Sequence, residues 1–332
     1  MFPVHLQTNA ARRGAAAVGL ALLLLGWFGA IAWAQDSYPT RTINFVVAYA
    51  PGGVADATAR ILGQSLSQRL GQTVVVENRG GAGGNLAARA VSRSSPDGYT
   101  VLITTTSIAI NETLYKNKGY ETDALAPVAI VASTPDVLAV PSANLAKSLP
   151  EFIKAAKTKP ITFGTAGVGS PSFVAATYFF KVLAKIDATH VPFQGGAPAV
   201  NAVVGNNVDM IAISLPSVAP QIIHGSLKGL GIAAATRSAA LPEVPTYAET
   251  GFPNFYSDSW MGVFVPAATD PAVVARLNDA IEQALHEPAV AERLSKLGFN
   301  VIFNSPAEAK AMFKSEMQKW GDMVKAAELR IE

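Results

Sequence analysis

Strand-like and helix-like segments alternate along most of this chain. The runs "TINFVVAYA" (42–50), "QTVVVEN" (72–78) and "YTVLITT" (99–105) are rich in β-branched and aromatic residues, as strands are. Apolar residues recur at spacings of three and four over residues 54–70, which predicts an amphipathic helix, and residues 85–93 predict a short second helix. A β-α-β-α-β order predicts a parallel sheet with right-handed crossovers, and so an α/β protein.

A second series of the same kind follows the first. "APVAIVAS" and "PDVLAVPS" predict two strands, and "SLPEFIKAAKT" predicts a helix capped by Ser148. Further predicted elements are a strand at 161–166 and helices at 170–186, about 270–296 and about 306–327.

Two α/β series followed by late helices predict two lobes, with strands passing between them. The boundaries fall near residues 138 and 254. Lobe 1 then comprises residues 36–137 and 255–332, and lobe 2 comprises residues 138–254.

The first 34 residues predict a signal peptide that is cleaved on export. Arg12 and Arg13 precede an apolar block that ends in Ala32-Trp33-Ala34, a cleavage-site pattern, although a membrane anchor is the alternative. Without this leader, 24 basic residues face 24 acidic ones, which argues against binding to nucleic acid or to an anionic membrane surface. The absence of cysteine excludes disulfides and Cys-based zinc sites. These features predict a periplasmic protein.

Glycine-rich turns stand directly before several predicted helices. In "VVAYAPGG", Pro51-Gly52-Gly53 separates a strand from a helix, so backbone N–H groups at the helix N-terminus could meet an anion that no Cβ obstructs. Similar turns are "RGGAGGN" (79–85), "GTAGVGSPS" (164–172) and "FQGGAPA" (193–199). Each could be only a tight turn. Several of them at the carboxyl ends of strands predict a binding crevice.

A carboxylate is the anion that these turns fit best. No G-x-x-x-x-G-K-[ST] motif is present, and "GVGSPS" has Ser172 where a dinucleotide fingerprint needs its third glycine. No arginine is evidently placed to clamp the anion, so backbone amides, hydroxyls and bridging waters are predicted to hold it.

Catalytic motifs are absent from the sequence. It has no G-x-S-x-G and no H-E-x-x-H, and His190, His224 and His286 are not at metal-ligand spacing. Asp56 could be a general base, but a carboxylate in the first helical turn also suits the positive end of the helix dipole. The sequence therefore predicts a protein that is not an enzyme and that uses no metal and no cofactor.

The chain resembles the periplasmic solute receptors of tripartite tricarboxylate transporters, the Bug family. The resemblance covers almost all of the chain after the leader. It is carried, in order, by "YPTRTINFVVAYAPGGVADATAR", "GQTVVVENRGGAGGN", "SPDGYTVLI", "LPEFIKAAK", "FGTAGVGSPS", "HVPFQGGAPAVNAVVGNNVDM", "LPEVPTYAETGFP" and "VVARLNDAI".

The resemblance implies a two-lobed periplasmic binding protein fold of type II-like topology, each lobe a mixed, mostly parallel sheet flanked by helices. It implies a receptor that closes on a small carboxylate and delivers it to a membrane permease. With Asp56 from the first glycine turn, the implied ligand-binding residues are Tyr49, Pro51, Gly52, Gly53, Thr105, Thr106, Ser107, Thr165, Ala166, Gly167, Gly169, Ser170, Ser172, Phe193, Gly195, Gly196 and Ser214. For each hydroxyl, a helix cap or a turn bond is the alternative.

Two positions depart from the family pattern. Phe173 stands where members often have His, and Ile213 stands where Asp or Asn is frequent. With Tyr49 and Phe193 nearby, these changes favour an aromatic or partly apolar carboxylate. A monomer is expected, because a receptor must open and close. A protein that presents its ligand to a signalling sensor is the alternative function.

Overall fold

The first predicted α/β series is confirmed by the computed structural model, which describes residues 38–332. Strands β1 (Ile43–Val47), β2 (Val74–Asn78) and β3 (Thr100–Thr105) alternate with helices α1 (Val54–Leu70) and α2 (Asn85–Ser92). Strand β1 pairs in parallel with both β2 and β3. The predicted leader lies outside the described residues, and within them no helix is both long and apolar enough to cross a membrane.

The remaining elements complete the α/β architecture. The strands are β4 (Leu125–Pro141), β5 (Ile161–Thr165), β6 (Ala188–Pro192), β7 (Met210–Ser214), β8 (Leu227–Ile232), β9 (Asp258–Pro266) and β10 (Asn300–Val301). The helices are α3 (Ser107–Leu114), α4 (Leu149–Ala156), α5 (Pro171–Tyr178), α6 (Gly196–Val204), α7 (Leu215–Ile223), α8 (Pro271–Leu285), α9 (Pro288–Lys296) and α10 (Pro306–Ala326). A π-helical turn, Phe179–Ala184, continues α5.

The strands form one mixed sheet in the order β2-β1-β3-β9-β4-β7-β5-β6, with β8 and β10 also paired to β4. Strand β5 lies parallel to β6 and β7, whereas β9 lies antiparallel to β3 and β4. Helices follow β1, β3, β5, β6 and β7, so their N-termini lie at the carboxyl ends of these strands. This arrangement positions the predicted glycine turns.

Strand β4 is longer than the sequence predicted. Two strands were expected, "APVAIVAS" and "PDVLAVPS", whereas the structure has one strand of 17 residues that contains Pro135. Pro135 is the last residue of β4 paired with β9, and from Asp136 onward β4 pairs with β7 and β8 instead. The proline is tolerated where the hydrogen-bond partner changes.

Other differences have local causes. The sequence analysis missed β9, which lies beyond an irregular segment, and it missed α3, which begins immediately after β3. Helix α7 was also missed, because Pro216 and Pro220 obscure its pattern. The long helix predicted to about residue 296 is divided into α8 and α9 just before Pro288. The predicted cap is confirmed, since the Ser148 hydroxyl accepts a hydrogen bond from the Glu151 N–H at 3.4 Å.

Candidate functional site

The turn after β1 leaves an open space beside the backbone. Pro51 and Gly52 are exposed, and Gly52 has a φ of +82°, a conformation that favours glycine. A Cβ at Gly52 would have no heavy atom within 4 Å, and one at Gly53 would meet only the Ala50 carbonyl oxygen at 3.6 Å. Gly53 is the N-cap of α1, and no side chain caps the helix there. A ligand can therefore approach this helix N-terminus closely.

Asp56 holds the shape of this turn. It is buried, and its carboxylate accepts hydrogen bonds from the Gly52 N–H (2.9 Å), from Asn78 Nδ2 (3.0 Å) and from Arg60 Nε (3.1 Å). Burial alone would raise the pKa of the Asp56 carboxyl, but these hydrogen bonds and the charge of Arg60 outweigh it and lower the pKa. Because its carboxylate accepts hydrogen bonds from protein groups, Asp56 stabilises the loop. Direct contact of Asp56 with a ligand stays a prediction.

Replacing Asp56 with asparagine is expected to lower the free energy of unfolding at pH 7 by about 2 kcal/mol, because charge-assisted hydrogen bonds are lost. Most of the loss should come from Gly52 and Asn78, since Arg60 is half exposed. A lowered pKa stabilises the fold above the usual value of 3.8 and loses that effect as the pH falls. Urea denaturation at pH 7 and pH 3 measures both. The exposed Asp187→Asn is the control, and an equal difference at both pH values would contradict the prediction.

A chain of hydroxyls runs from the β1 turn to the end of β3. The Tyr49 and Thr105 hydroxyl oxygens lie 2.8 Å apart, Thr105 Oγ1 donates to Ser107 Oγ at 3.2 Å, and the Ser107 N–H donates to Thr105 Oγ1 at 3.3 Å. Burial raises the pKa of the Tyr49 phenol despite these hydrogen bonds, so the phenol stays protonated. Thr106 instead has a structural contact, since its hydroxyl accepts from the Trp260 N–H at 2.8 Å.

Two of the predicted ligand loops meet directly. Ser107 Oγ, after β3, donates to the carbonyl oxygen of Gly169, after β5, at 3.0 Å. Gly169 has a φ of +82°, and a Cβ there would meet the Tyr115 hydroxyl at 3.2 Å and Gly83 Cα at 3.4 Å. The glycine turn after β2 therefore takes part in the same junction. Tyr115 was missed by the sequence analysis, which had no motif to mark it.

The turn after β5 is closed by its own serines. Ser170 caps α5 by accepting from the Phe173 N–H at 3.2 Å, and its hydroxyl donates to the Gly167 carbonyl oxygen at 2.6 Å. Ser170 Oγ also lies 3.2 Å from Ser172 Oγ. The cap alternative stated for the hydroxyls thus describes Ser170, and contact of these serines with a ligand stays a prediction.

The turns after β5, β6 and β7 pack on one another. The Gly195 N–H donates to the Ala166 carbonyl oxygen at 3.1 Å, and a Cβ at Gly167 would lie 2.8 Å from the Phe193 carbonyl oxygen. A Cβ at Gly196 would lie 2.6 Å from the hydroxyl of Ser217. That hydroxyl lies 3.2 Å from the hydroxyl of Ser214, the N-cap of α7, whereas a Cβ at Gly195 would meet open space.

The two positions that depart from the family pattern lie in the core. Phe173 is 8% exposed and Ile213 is 1% exposed. The ring of Phe173 packs against that of His190, with 4.5 Å between ring centroids. Among the described residues no group of three or more His, Asp or Glu side chains could hold a metal ion.

Comparison with known proteins identifies the family. Residues 58–329 match the family described as "Tripartite tricarboxylate transporter family receptor". The chain belongs to this family. It is 34% identical over 295 residues to the protein BugT of Bordetella pertussis, an alignment that covers 87% of this chain and 90% of BugT.

Solved structures show the same fold. The periplasmic binding protein BugD superposes with a TM-score of 0.83 at 31% identity, covering 89% of this chain and all of BugD. Rpa4515 of R. palustris with adipate superposes with a TM-score of 0.84 at 29% identity, covering 88% of this chain and 99% of Rpa4515. MatC of Rhodopseudomonas palustris with bound malate superposes with a TM-score of 0.80 at 33% identity, covering 86% of this chain and 100% of MatC.

These comparisons confirm several predictions from sequence. The receptor has the two-lobed periplasmic binding protein fold, in which mixed sheet is flanked by helices. Its family and structural neighbours are periplasmic solute-binding proteins rather than enzymes. The receptor is therefore a solute-capturing protein of the periplasmic type.

Proposed function

We propose that this receptor binds a small carboxylate between its two lobes and delivers it to the membrane permease of a tripartite tricarboxylate-type transporter. The observation that carries the proposal is the direct junction of two strand-end loops, in which Ser107 Oγ donates to the Gly169 carbonyl oxygen. Beside it, the turn at Gly52 and Gly53 offers an open helix N-terminus. Relatives of known structure hold adipate and malate.

The proposed lobes are residues 36–137 with 255–332, and residues 138–254. The change of β4 partners at Asp136 and the start of β9 at Asp258 support boundaries near these positions. Residues Arg41–Glu332 form one compact unit, so lobe 2 and the part of lobe 1 from Arg41 onward are subdivisions of that unit. Closure of the lobes would bury the carboxylate.

The proposed binding residues comprise the predicted set, in two roles. Backbone groups at Gly53 and Gly195 suit direct contact, because a Cβ at either position would meet little or nothing. Gly169 suits the junction between loops, where its carbonyl oxygen accepts from Ser107. Asp56 and Thr106 suit support of the loops, through the bonds described above.

An aromatic ligand now has less support than the sequence suggested. Phe173 and Ile213 are buried in the core, so little of either side chain is available to contact a ligand. Tyr49 and Phe193, both half-buried near the loops, remain as its support. Aliphatic dicarboxylates, represented by the adipate and malate of the relatives, are the first candidates.

The proposal further includes a cleaved signal peptide at residues 1–34, a monomeric receptor and a permease partner. Nucleic acid and anionic membrane surfaces are not proposed as partners, because basic and acidic residues are equal in number once Arg12 and Arg13 are removed. Deletion of the gene tests the partner. If the protein is a receptor for a permease, the deletion strain is expected to lose carboxylate uptake. If it presents its ligand to a signalling sensor instead, uptake should be unchanged.

A thermal-shift screen tests ligand binding. The full chain is expressed, and the exported protein is unfolded and refolded to remove captured ligand. The panel holds malate, adipate, citrate, benzoate and terephthalate, with the corresponding amides as uncharged controls. A carboxylate present at 100 times its dissociation constant should stabilise the fold by about 2.7 kcal/mol, which raises the melting temperature by several degrees. No shift with any carboxylate, or equal shifts with amides, would contradict the proposal.

A further inference from the structure

His190 lies under the turn that follows β5. Its Nε2 atom is 2.8 Å from the hydroxyl oxygen of Thr165, the last residue of β5. Thr165 is fully buried, and its hydroxyl oxygen accepts a hydrogen bond from the Gly167 N–H at 3.2 Å. The histidine side chain is thereby connected to the first residue of the turn with a left-handed backbone, since Gly167 has a φ of +121°.

The same chain of bonds continues to the start of α5. The Gly167 carbonyl oxygen accepts from the Ser170 hydroxyl at 2.6 Å and from the Ser170 N–H at 3.2 Å. The Ser170 hydroxyl in turn caps α5 through the Phe173 N–H. Thr165, Gly167 and Ser170 are thus linked in sequence, from the imidazole to the helix cap. Gly169, which accepts from Ser107, lies between Gly167 and Ser170.

The surroundings of the imidazole keep it neutral. Its ring packs against Phe173 and Phe163, with centroid distances of 4.5 and 5.1 Å. Burial lowers the pKa of His190 to about 4. A neutral imidazole has one ring nitrogen that accepts and one that donates.

The hydrogen bonds of Thr165 decide which nitrogen accepts. The Thr165 side chain is fully buried, and within residues 38–332 the only acceptor in reach of its hydroxyl proton is His190 Nε2, since its other partner, the Gly167 N–H, is a donor. The ring proton is then on Nδ1. In that arrangement the Thr165 hydroxyl donates to His190 Nε2 and accepts from the Gly167 N–H, so the orientation of its O–H bond is fixed.

We propose that His190 is a positioning residue for the ligand site: as the Nδ1–H tautomer it accepts from Thr165, and it thereby keeps the Gly167–Ser170 turn in the conformation that meets the carboxylate. This inference rests on the proposed function. It changes the role of Thr165, which acts on the ligand through the backbone of the turn rather than by contact. From sequence, His190 was considered as a metal ligand and rejected on its spacing.

The tautomer and the turn can be tested without any carboxylate. Nitrogen-15 and carbon-13 NMR of His190 at pH 7 is expected to show a neutral ring protonated on Nδ1; a ring protonated on Nε2, or a charged ring, would overturn the proposal. Hydrogen exchange at the Gly167 amide is expected to be about tenfold faster in His190→Ala than in the wild type and to return towards wild type in His190→Gln, whose side-chain oxygen can accept from Thr165. Unchanged exchange in His190→Ala would also overturn the proposal.

Affinity measurements then connect the turn to the site. Malate and adipate are titrated into the wild type and the variants, with dissociation constants measured for whichever binds. We expect His190→Ala and Thr165→Val each to weaken binding by about tenfold, and the double variant to be no weaker than either single one, because both break the same bond. His190→Gln should stay within about threefold of the wild type. The control is His224→Ala, at the exposed end of α7.

The outcomes separate the two proposals. If neither carboxylate binds the wild type, the proposed function fails in this form, and the tautomer and exchange results still decide whether His190 holds the turn. If the wild type binds and His190→Ala binds equally well, the proposed function stands and the positioning role is wrong.

Discussion

Replacing Gly53 with valine is expected to weaken carboxylate binding by at least about 100-fold while leaving the protein folded. A Cβ at this position would meet only the Ala50 carbonyl oxygen at 3.6 Å, an ordinary contact, and the φ of −83° is accessible to any residue. The added methyl groups would instead fill the space beside the N-terminus of α1. Two or more charge-assisted hydrogen bonds to backbone amides would be lost, which corresponds to a free energy of about 3 kcal/mol or more.

Titration calorimetry with malate and adipate measures this effect, alongside the melting temperature of the ligand-free protein. Ala268→Val, at an exposed turn after β9, is the matched control and should change neither quantity. An unchanged dissociation constant for Gly53→Val would show that the carboxylate does not approach this turn. A large fall in the ligand-free melting temperature would contradict the assigned open space.

Replacing Asp136 with asparagine is expected to remove a large pH dependence of stability. Burial raises the pKa of the Asp136 carboxyl to about 7, the hydrogen bond from Ser257 lowers it in part, and the charge of Asp258 raises it further. Ser257 Oγ donates to one carboxyl oxygen at 2.5 Å, while the other oxygen is buried with no hydrogen-bond partner in residues 38–332. The neutral acid is therefore the form that the folded protein accommodates. Burial and, second, the charge of Asp136 raise the pKa of the nearby Tyr247 phenol.

The direction of this pH dependence follows from proton binding. Between about pH 4 and pH 7 the folded protein keeps the Asp136 proton that the unfolded chain loses, so stability from this group is full at low pH and is lost as the pH rises. The total is about 4 kcal/mol, at 1.36 kcal/mol for each tenfold change in proton affinity. Asparagine resembles the neutral acid at every pH. Asp136→Asn should thus gain stability relative to the wild type by about this amount between pH 4 and pH 8.

Guanidinium denaturation of both proteins at each pH measures the difference, in which contributions from other carboxylates cancel. Asp187→Asn, at an exposed position, provides the comparison. A difference between wild type and Asp136→Asn that stays constant from pH 4 to pH 8 would mean that Asp136 is ionised throughout.

Local signals were sufficient for much of the fold. Helix α1 has the predicted bounds, 54–70, because a continuous apolar stripe lies between glycines at 53 and 71. The parallel pairing of β1 with β2 and β3 follows from helical crossovers, which leave few other topologies. Pattern and connection length determined these features, and both are visible along the chain.

Other features depend on tertiary contacts that no local pattern contains. Two strands were predicted where β4 is continuous. Pro135 removes one ladder donor, but β9 and β7 supply pairing on either side of it. In the site, sequence located the turns but not their partners. The bonds from Ser107 to Gly169 and from Thr165 to His190 join residues 62 and 25 positions apart, and only the fold brings them together.

The unbroken backbone of β4 sets a torsional limit on motion within the sheet. Any rotation of the part paired with β9 against the part paired with β7 has to be absorbed as twist at the residues between them. Pro135 cannot contribute through its φ angle, which its ring fixes. The twist would therefore fall on Asp136 and its immediate neighbours, where Ser257, the residue before β9, donates to the Asp136 carboxyl of β4. In the proposed closure of the lobes, the stiffness of this short segment would therefore limit the rotation, together with the loops at the strand ends.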